Sequence, residues 1–144
     1  MSDSQYSEPK TVLIMRGIQG SGKSTMAKLL CRPFGLNGKI HSTDSYFYDE
    51  QMNYRFNPTK LPEYRAKNLA AFEKSLKGGL EMVICDNVNA RHAYYAEYVA
   101  LAKKYGYRVA IVTMPHPTTD EAVGRNKHGV PHEAIERILK IWEA

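Results

Sequence analysis

The 144 residues are 43% hydrophobic and 24% charged with no biased tract, which excludes a fibrous or wholly disordered chain and leaves room for one catalytic domain. A formal charge of +5 favours an anionic partner, a nucleotide or a nucleic acid, but Lys and Arg are spread along the chain and a merely solvated positive surface is an equal reading. No apolar stretch approaches a membrane span, and Cys31 and Cys85 belong to no CxxC pair, so reduced thiols in a cytoplasmic protein are expected.

Residues 1–10 are polar, lack the apolar core of a signal peptide and are expected to be flexible, leaving residues 11–144 as one domain. The apolar run from Thr11 to Arg16 reads as a buried strand. It leads into Gly17-Ile18-Gln19-Gly20-Ser21-Gly22-Lys23-Ser24, the pattern G-x-x-x-x-G-K-[ST], and a helical pattern continues from Gly22 to about Cys31. Glycines permit backbone angles that aim successive N–H groups inward, and the following helix turns its positive end on whatever they hold. Gly17, Gln19, Gly20, Ser21 and Gly22 are therefore expected to cradle phosphates, with Lys23 reaching the β- and γ-phosphates. Ser24, or failing it Thr25, would supply the hydroxyl that holds Mg²⁺.

A second apolar run, Lys39 to Thr43, ends one residue before Asp44. Pro62 suits a first helical turn, Ala66, Leu69, Ala70, Phe72 and Leu76 give that helix an apolar face, and Gly78-Gly79 end it. Glu81 to Asp86 reads as a third strand. Asn89 is expected to cap the next helix, whose apolar side runs from Tyr94 to Tyr105 and which Gly106 stops. Arg108 to Thr113 is a fourth apolar run, and all four read as buried strands. Thr119 to Gly129 reads as a short helix ending in a glycine turn, and a last helix begins near Pro131, with Ile135, Ile138, Leu139 and Trp142 expected to dock on the sheet. The alternation predicts a three-layer α/β P-loop NTPase domain: a mainly parallel sheet of about four to five strands, right-handed crossovers and a short helical lid. Ligands gather at the carboxyl ends of the strands in such sheets.

A phosphate loop serves GTPases, ATPases and kinases alike. The nearest approach to a guanine-reading Asn-Lys-x-Asp is Asn126-Lys127-His128-Gly129, without the Asp, and Asp86 is followed by Asn87 where a mechanical ATPase would place a water-activating glutamate. A kinase instead needs a carboxylate beside the γ-phosphate to take a proton from the attacking hydroxyl. Asp44, just past the second strand, fits that need, and the competing reading is a turn cap. Arg125 is the candidate for an arginine that closes over the transferring phosphoryl group, with Lys127 or a solvated Arg125 as alternatives.

These pieces together resemble the polynucleotide 5′-hydroxyl kinases of phages and repair enzymes and the kinase-like domain of cyclic nucleotide phosphodiesterase. The matching stretches are Arg16 through Thr25, Ser42-Thr43-Asp44-Ser45-Tyr46-Phe47-Tyr48, Tyr54 through Pro58, Ile84 through Asn89 and Arg125 through Pro131, which span roughly residues 11–143. The resemblance implies that Lys23 and Ser24 bind ATP and Mg²⁺, that Asp44 activates the acceptor hydroxyl, that Arg125 belongs to the lid and that Asp86 acts near the phosphates, through Mg²⁺-bound water or as a strand-end residue bonded to the loop. Phage members carry an arginine three residues after the aspartate to hold the acceptor's phosphate, where this chain has Phe47. Arg55 or Arg91 would have to substitute, or Tyr46, Phe47 and Tyr48 would stack on a base, unless they are core; Asn89 is a further candidate on the substrate side. The implied acceptor is a DNA or RNA hydroxyl, either a 5′ end or a hydroxymethyl group of a modified base. A small metabolite, sugar or antibiotic acceptor, and a nucleotide-gated module or ATPase without an acceptor, are the competing functions. The five histidines do not form a zinc set, because a Gly-Val-Pro turn separates His128 from His132 and no Cys or carboxylate completes one.

Overall fold

A computed structural model describes residues 9–126 and 128–144. Most of the expected flexible segment 1–10, and Lys127, lie outside the described residues. The elements run β1 Thr11–Arg16, α1 Lys23–Cys31, β2 Gly38–His41, α2 Leu61–Lys77, β3 Met82–Asp86, α3 His92–Lys104, β4 Arg108–Thr113, α4 Thr119–Arg125 and α5 His132–Ile141. All strand pairings among the described residues are parallel, in the order β2-β3-β1-β4, with Met15 of β1 level with Asp86 of β3. The expected α/β P-loop NTPase fold with a parallel sheet and a short helical lid is therefore what forms.

Alternation along the strands builds two cores. Val12, Ile14, Val83 and Cys85 point to one face, where Phe72 and Leu76 of α2 and Tyr95, Tyr98 and Ala102 of α3 cover them. Leu13, Met15, Met82 and Ile84 point to the other, where Ala27 of α1 packs with Met26 and Leu30 beside it. The chain leaves β1 toward β2 and leaves β3 toward β4, in opposite directions across the sheet. The crevice opens where those paths diverge, at the carboxyl ends of β1 and β3.

Three expectations need correction. β4 is an edge strand, with Arg108, Ala110, Ile111 and Thr113 exposed rather than buried, since an apolar run cannot by itself report whether a neighbour lies on its far side. Asn89 is not the cap of α3; Arg91 holds that place, while Asn89 sits two residues earlier in a left-handed turn at φ 54°. α5 does not dock on the sheet: Ile135 packs against Ile18 of the phosphate loop and Ala122 of α4, with Ile138, Leu139 and Trp142 around them. The lid and the loop thus share a small core of their own. Cys31 and Cys85 are both free thiols, and burial pushes the Cys85 thiol up to about 12.

Arg16 is buried at the end of β1 and faces no carboxylate among the described residues. Its guanidinium lies 4.7 Å from the Trp142 ring centroid and 5.3 Å from that of Tyr95. It donates to the carbonyls of Asn89 (2.9 Å), Ala90 (3.1 Å) and Glu143. Aromatic faces and backbone carbonyls take the place of a counter-ion.

Candidate functional site

The phosphate loop adopts the backbone its glycines allow. Gly20 and Gly22 stand at φ 81° and 84°, angles that a side-chain-bearing residue rarely takes. A Cβ at Gly20 would lie 2.7 Å from the Ala122 backbone, so this glycine also lets α4 lie against the loop. Ser21 Oγ is buried without a hydrogen-bond partner, the kind of orphaned group that a phosphate oxygen would satisfy. Lys23 Nζ lies 2.6 Å from Asp86 Oδ1, and Ser24 Oγ donates to Asp86 Oδ2 at 3.0 Å. These residues fit a nucleotide's phosphates, and the adjoining hydroxyl and carboxylate oxygens suit a hard cation such as Mg²⁺.

Asn87, which follows Asp86, accepts the Thr43 backbone N–H at 2.9 Å. The end of β3 thereby holds both the loop and the 3₁₀ turn Thr43–Phe47 that carries Asp44. Among the described residues no backbone N–H donates to the Asp44 carboxylate. It faces Lys23's end of the crevice, accepts from the Tyr54 hydroxyl at 3.4 Å and lies 3.4 Å from His128 Nδ1. Burial opposes ionisation of Asp44, but His128, Lys23 and the Tyr54 hydroxyl outweigh it and hold the carboxyl below its usual range.

Two cavities meet at Asp44. The first, of about 390 Å³, is lined by the loop from Ile18 through Thr25, by Ser42, Ser45 and Asp86, and by Arg125 and His128 from the lid. The second, of about 610 Å³, opens between α2 and α3, with Arg65, Asn87, Tyr94, Glu97 and Tyr98 supplying its polar atoms. A shallower cleft of about 420 Å³ continues it outward past Ala70 and Leu101.

Gln19, Gly20, Gly22, Lys23, Ser24, Thr25, Asp44, Asp86 and Arg125 all line the first cavity, while Gly17 and Ser21 of the same loop are not among its lining residues. Arg125 is turned to Glu121 at 2.9 Å, a pair within α4, whose start is fixed by a capping box of Thr118 and Glu121. Other candidates lie elsewhere. Phe47 is buried among Tyr54, Phe56 and Tyr64, so it is core and not a stacking platform. Tyr46 packs on Tyr64, and Arg55 is paired with Asp49 at 2.7 Å outside both cavities. Arg91 reaches Glu143 at 3.4 Å and so ties down the end of the chain instead of facing an acceptor. Asn89 borders the second cavity, yet its amide is spent on the Met15 carbonyl at 2.7 Å. The sequence reading did not include Asn87, Arg65, Tyr54 or His128 as an acceptor-side set; only proximity in the fold unites them.

The model of the AAA domain family matches residues 12–140. The chain belongs to that family. Curated relatives of this AAA domain include the YLP motif-containing protein 1 of Rattus norvegicus, 28% identical over 94% of this chain but only 11% of that protein. Another is the 2',3'-cyclic-nucleotide 3'-phosphodiesterase of Pongo abelii, 28% identical over 73% of this chain and 24% of that protein. The chain thus spans a minor part of the curated relatives it matches. Among solved structures, a chain of the Pnkp1/Rnl/Hen1 RNA repair complex superposes with a TM-score of 0.69 at 21% identity, over 98% of this chain and 46% of that one. Chaetomium thermophilum Kti12 in complex with ADP-AlF3 superposes with a TM-score of 0.66 at 17% identity, over 92% and 80%. The structural likenesses show a shared kinase-like P-loop fold. Among the described residues no helix is long and apolar enough to cross a membrane.

Proposed function

We propose that residues 11–144 form a single ATP-dependent phosphotransferase domain, acting in the cytoplasm on a hydroxyl group of a nucleic acid. The observation that carries this reading is the position of Asp44 in the wall between two cavities, one built on the phosphate loop and the other on α2 and α3. A donor and an acceptor entering from the two sides would meet at one carboxylate.

In this reading the loop amides, Lys23 and Arg125 hold the triphosphate of ATP, and Ser24, with Asp86 through water, holds Mg²⁺, which supplies charge neutralisation at the phosphates. Asp44 accepts the proton of the acceptor hydroxyl as its oxygen bonds to the γ-phosphorus. The bond from that phosphorus to the bridging oxygen breaks, and ADP leaves with the electron pair. Arg125 would leave Glu121 to meet the charge on the transferring group. A nucleic-acid acceptor is supported by the structural neighbour that is part of an RNA repair complex, and the relative named for a cyclic nucleotide supports a nucleotide-bearing one.

A second reading, a compact acceptor such as a sugar or metabolite, is favoured by the second cavity, which is bordered by Arg65 and by the carboxylates of Asp44 and Glu97. In the nucleic-acid reading that cavity takes the terminal nucleoside alone.

The test is transfer of labelled γ-phosphate from ATP to 5′-hydroxyl DNA and RNA oligonucleotides, base-modified DNA, nucleosides and sugars. Label on an oligonucleotide, lost in Asp44→Asn, supports the proposal. Label confined to small acceptors selects the second reading. Nucleotide turnover without any acceptor, unchanged in Asp44→Asn, overturns both.

A further inference from the structure

His128 stands where the lid meets Asp44, and neither the phosphate-loop motif nor the family match gives it a task. Its ring is engaged on three sides. Nδ1 faces Asp44 Oδ2 at 3.4 Å, Nε2 lies 3.0 Å from the Tyr48 hydroxyl, and the Tyr54 ring stacks on it at 4.1 Å with an interplanar angle of 13°. Tyr48 and Tyr54 are themselves paired by an antiparallel bridge, so the two phenols form a rigid cradle for the imidazole. Tyr54 then closes the circuit by donating to Asp44 Oδ1. Burial, and after it the Asp44 charge, push the Tyr54 phenol well above its ordinary value, so it remains a donor across the working pH range.

The turn that presents His128 is also built for the purpose. Asn126 accepts the Val130 N–H at 2.8 Å and donates to the carbonyls of Ala122 and Val130, which pins the segment after α4. His128 and Arg125 belong to one lid, three residues apart. A lid position that brings Arg125 over the donor cavity also brings His128 against Asp44.

We infer that His128 is the positioning residue for Asp44, fixing the orientation of its carboxylate and making it depend on the closed position of the lid. With the Tyr48 O–H donating to Nε2, the neutral ring carries its proton on Nδ1 and donates it to Asp44. His128 and Tyr54 grip the two carboxylate oxygens, one each. Among the described residues, the charged and titratable groups around the pair are Lys23 from α1 with Asp86 behind it, Arg125 from the lid, Tyr48 and Tyr54, and Arg65 across the second cavity. The inference rests on the reading of Asp44 as the acceptor-side base, and the experiment separates the two.

The first measurement needs no acceptor: the ¹⁵N shifts of the His128 ring in the full chain and in Asp44→Asn. The wild type is expected to show an Nδ1-protonated ring whose shifts move in Asp44→Asn and in Tyr48→Phe. Shifts indifferent to both substitutions overturn the inference, whatever the acceptor proves to be. The second is the pH dependence of transfer to a 5′-hydroxyl oligonucleotide in His128→Phe, which keeps the stack on Tyr54, and in His128→Asn, which keeps an N–H near the Nδ1 position. His128→Phe is expected to lower kcat about 10- to 100-fold, leave the KM for ATP within about twofold, and move the acid limb of the profile upward as burial comes to dominate Asp44. His128→Asn should restore the wild-type limb and most of kcat. Loss of activity in Asp44→Asn together with a wild-type profile in His128→Phe would overturn the inference alone, while transfer by Asp44→Asn would overturn the proposed function.

Discussion

The two cavities that meet at Asp44 are built in opposite ways. The donor side is centred on one continuous stretch, Ile18 to Thr25, whose shape is dictated by glycine angles and the start of a helix, with Ser42, Asp86 and the lid around it. The acceptor side is assembled from the turn after β2, the segment after β3, and the helices α2, α3 and α5. Local backbone chemistry makes the first; only tertiary packing makes the second. Substitutions on the donor side should therefore abolish nucleotide use outright, and those on the acceptor side should change which hydroxyl is served and at what concentration.

The largest effect is expected from Lys23→Ala, which removes the loop's cation and leaves the buried Asp86 carboxylate without its 2.6 Å partner. Transfer should fall by about 10³-fold or more in a radiolabel assay, as expected when a fixed charge facing the transferring group is lost. Wild-type transfer would erase the contrast between the two sides. Gly20→Ala comes next: its Cβ would meet the Ala122 backbone at 2.7 Å on a left-handed angle. Nucleotide affinity by calorimetry should drop about tenfold or more, with thermal stability lowered by about 1–3 kcal/mol. On the other side, Arg65→Glu reverses the charge of a cation lining the second cavity and should raise the KM for an anionic acceptor by about tenfold with kcat nearly unchanged. A matching rise in the KM for ATP would mean that the cavities are not separate.

The smallest effect belongs to a residue that lines neither cavity. His41 is buried at the end of β2, bonded to Ser75 at 2.8 Å, and burial, with Lys39 adding to it, lowers its pKa to about 4. Unfolding between roughly pH 6.5 and 4 must then take up about one proton, so stability is full above that window and declines as the pH falls through it. His41→Gln should flatten this decline in denaturant titrations at pH 7 and pH 5. An unchanged slope would remove His41 as its source.

The same difference explains what could be read beforehand. The strands, the loop and the helix after it were visible because their residues are neighbours in the chain and their periodicity is short-range. Asp44 was found because it follows a strand directly. Asn87, Arg65, Tyr54 and His128 carry no local signature, and only the packing of α2, α3 and the lid puts them around one carboxylate. The errors have the same origin. Asn89 looked like a helix cap because Asn favours both caps and left-handed turns, and the Met15 carbonyl selected the second. Phe47 looked like a platform until Tyr54, Phe56 and Tyr64 enclosed it.

Arg16 adds a consequence of its own. It immediately precedes the phosphate loop, yet its guanidinium grips the carbonyl of Glu143 and lies against Trp142, at the far end of the chain. Arg16 thus joins the loop to that tail, so a nucleotide that quiets residues 17–24 is expected to slow amide exchange at residues 140–144, and clipping the tail is expected to weaken nucleotide binding. Exchange at the tail that ignores saturating nucleotide would uncouple them. The segment from Trp142 onward is in this sense a gauge of occupancy, one that can be followed before the acceptor is known.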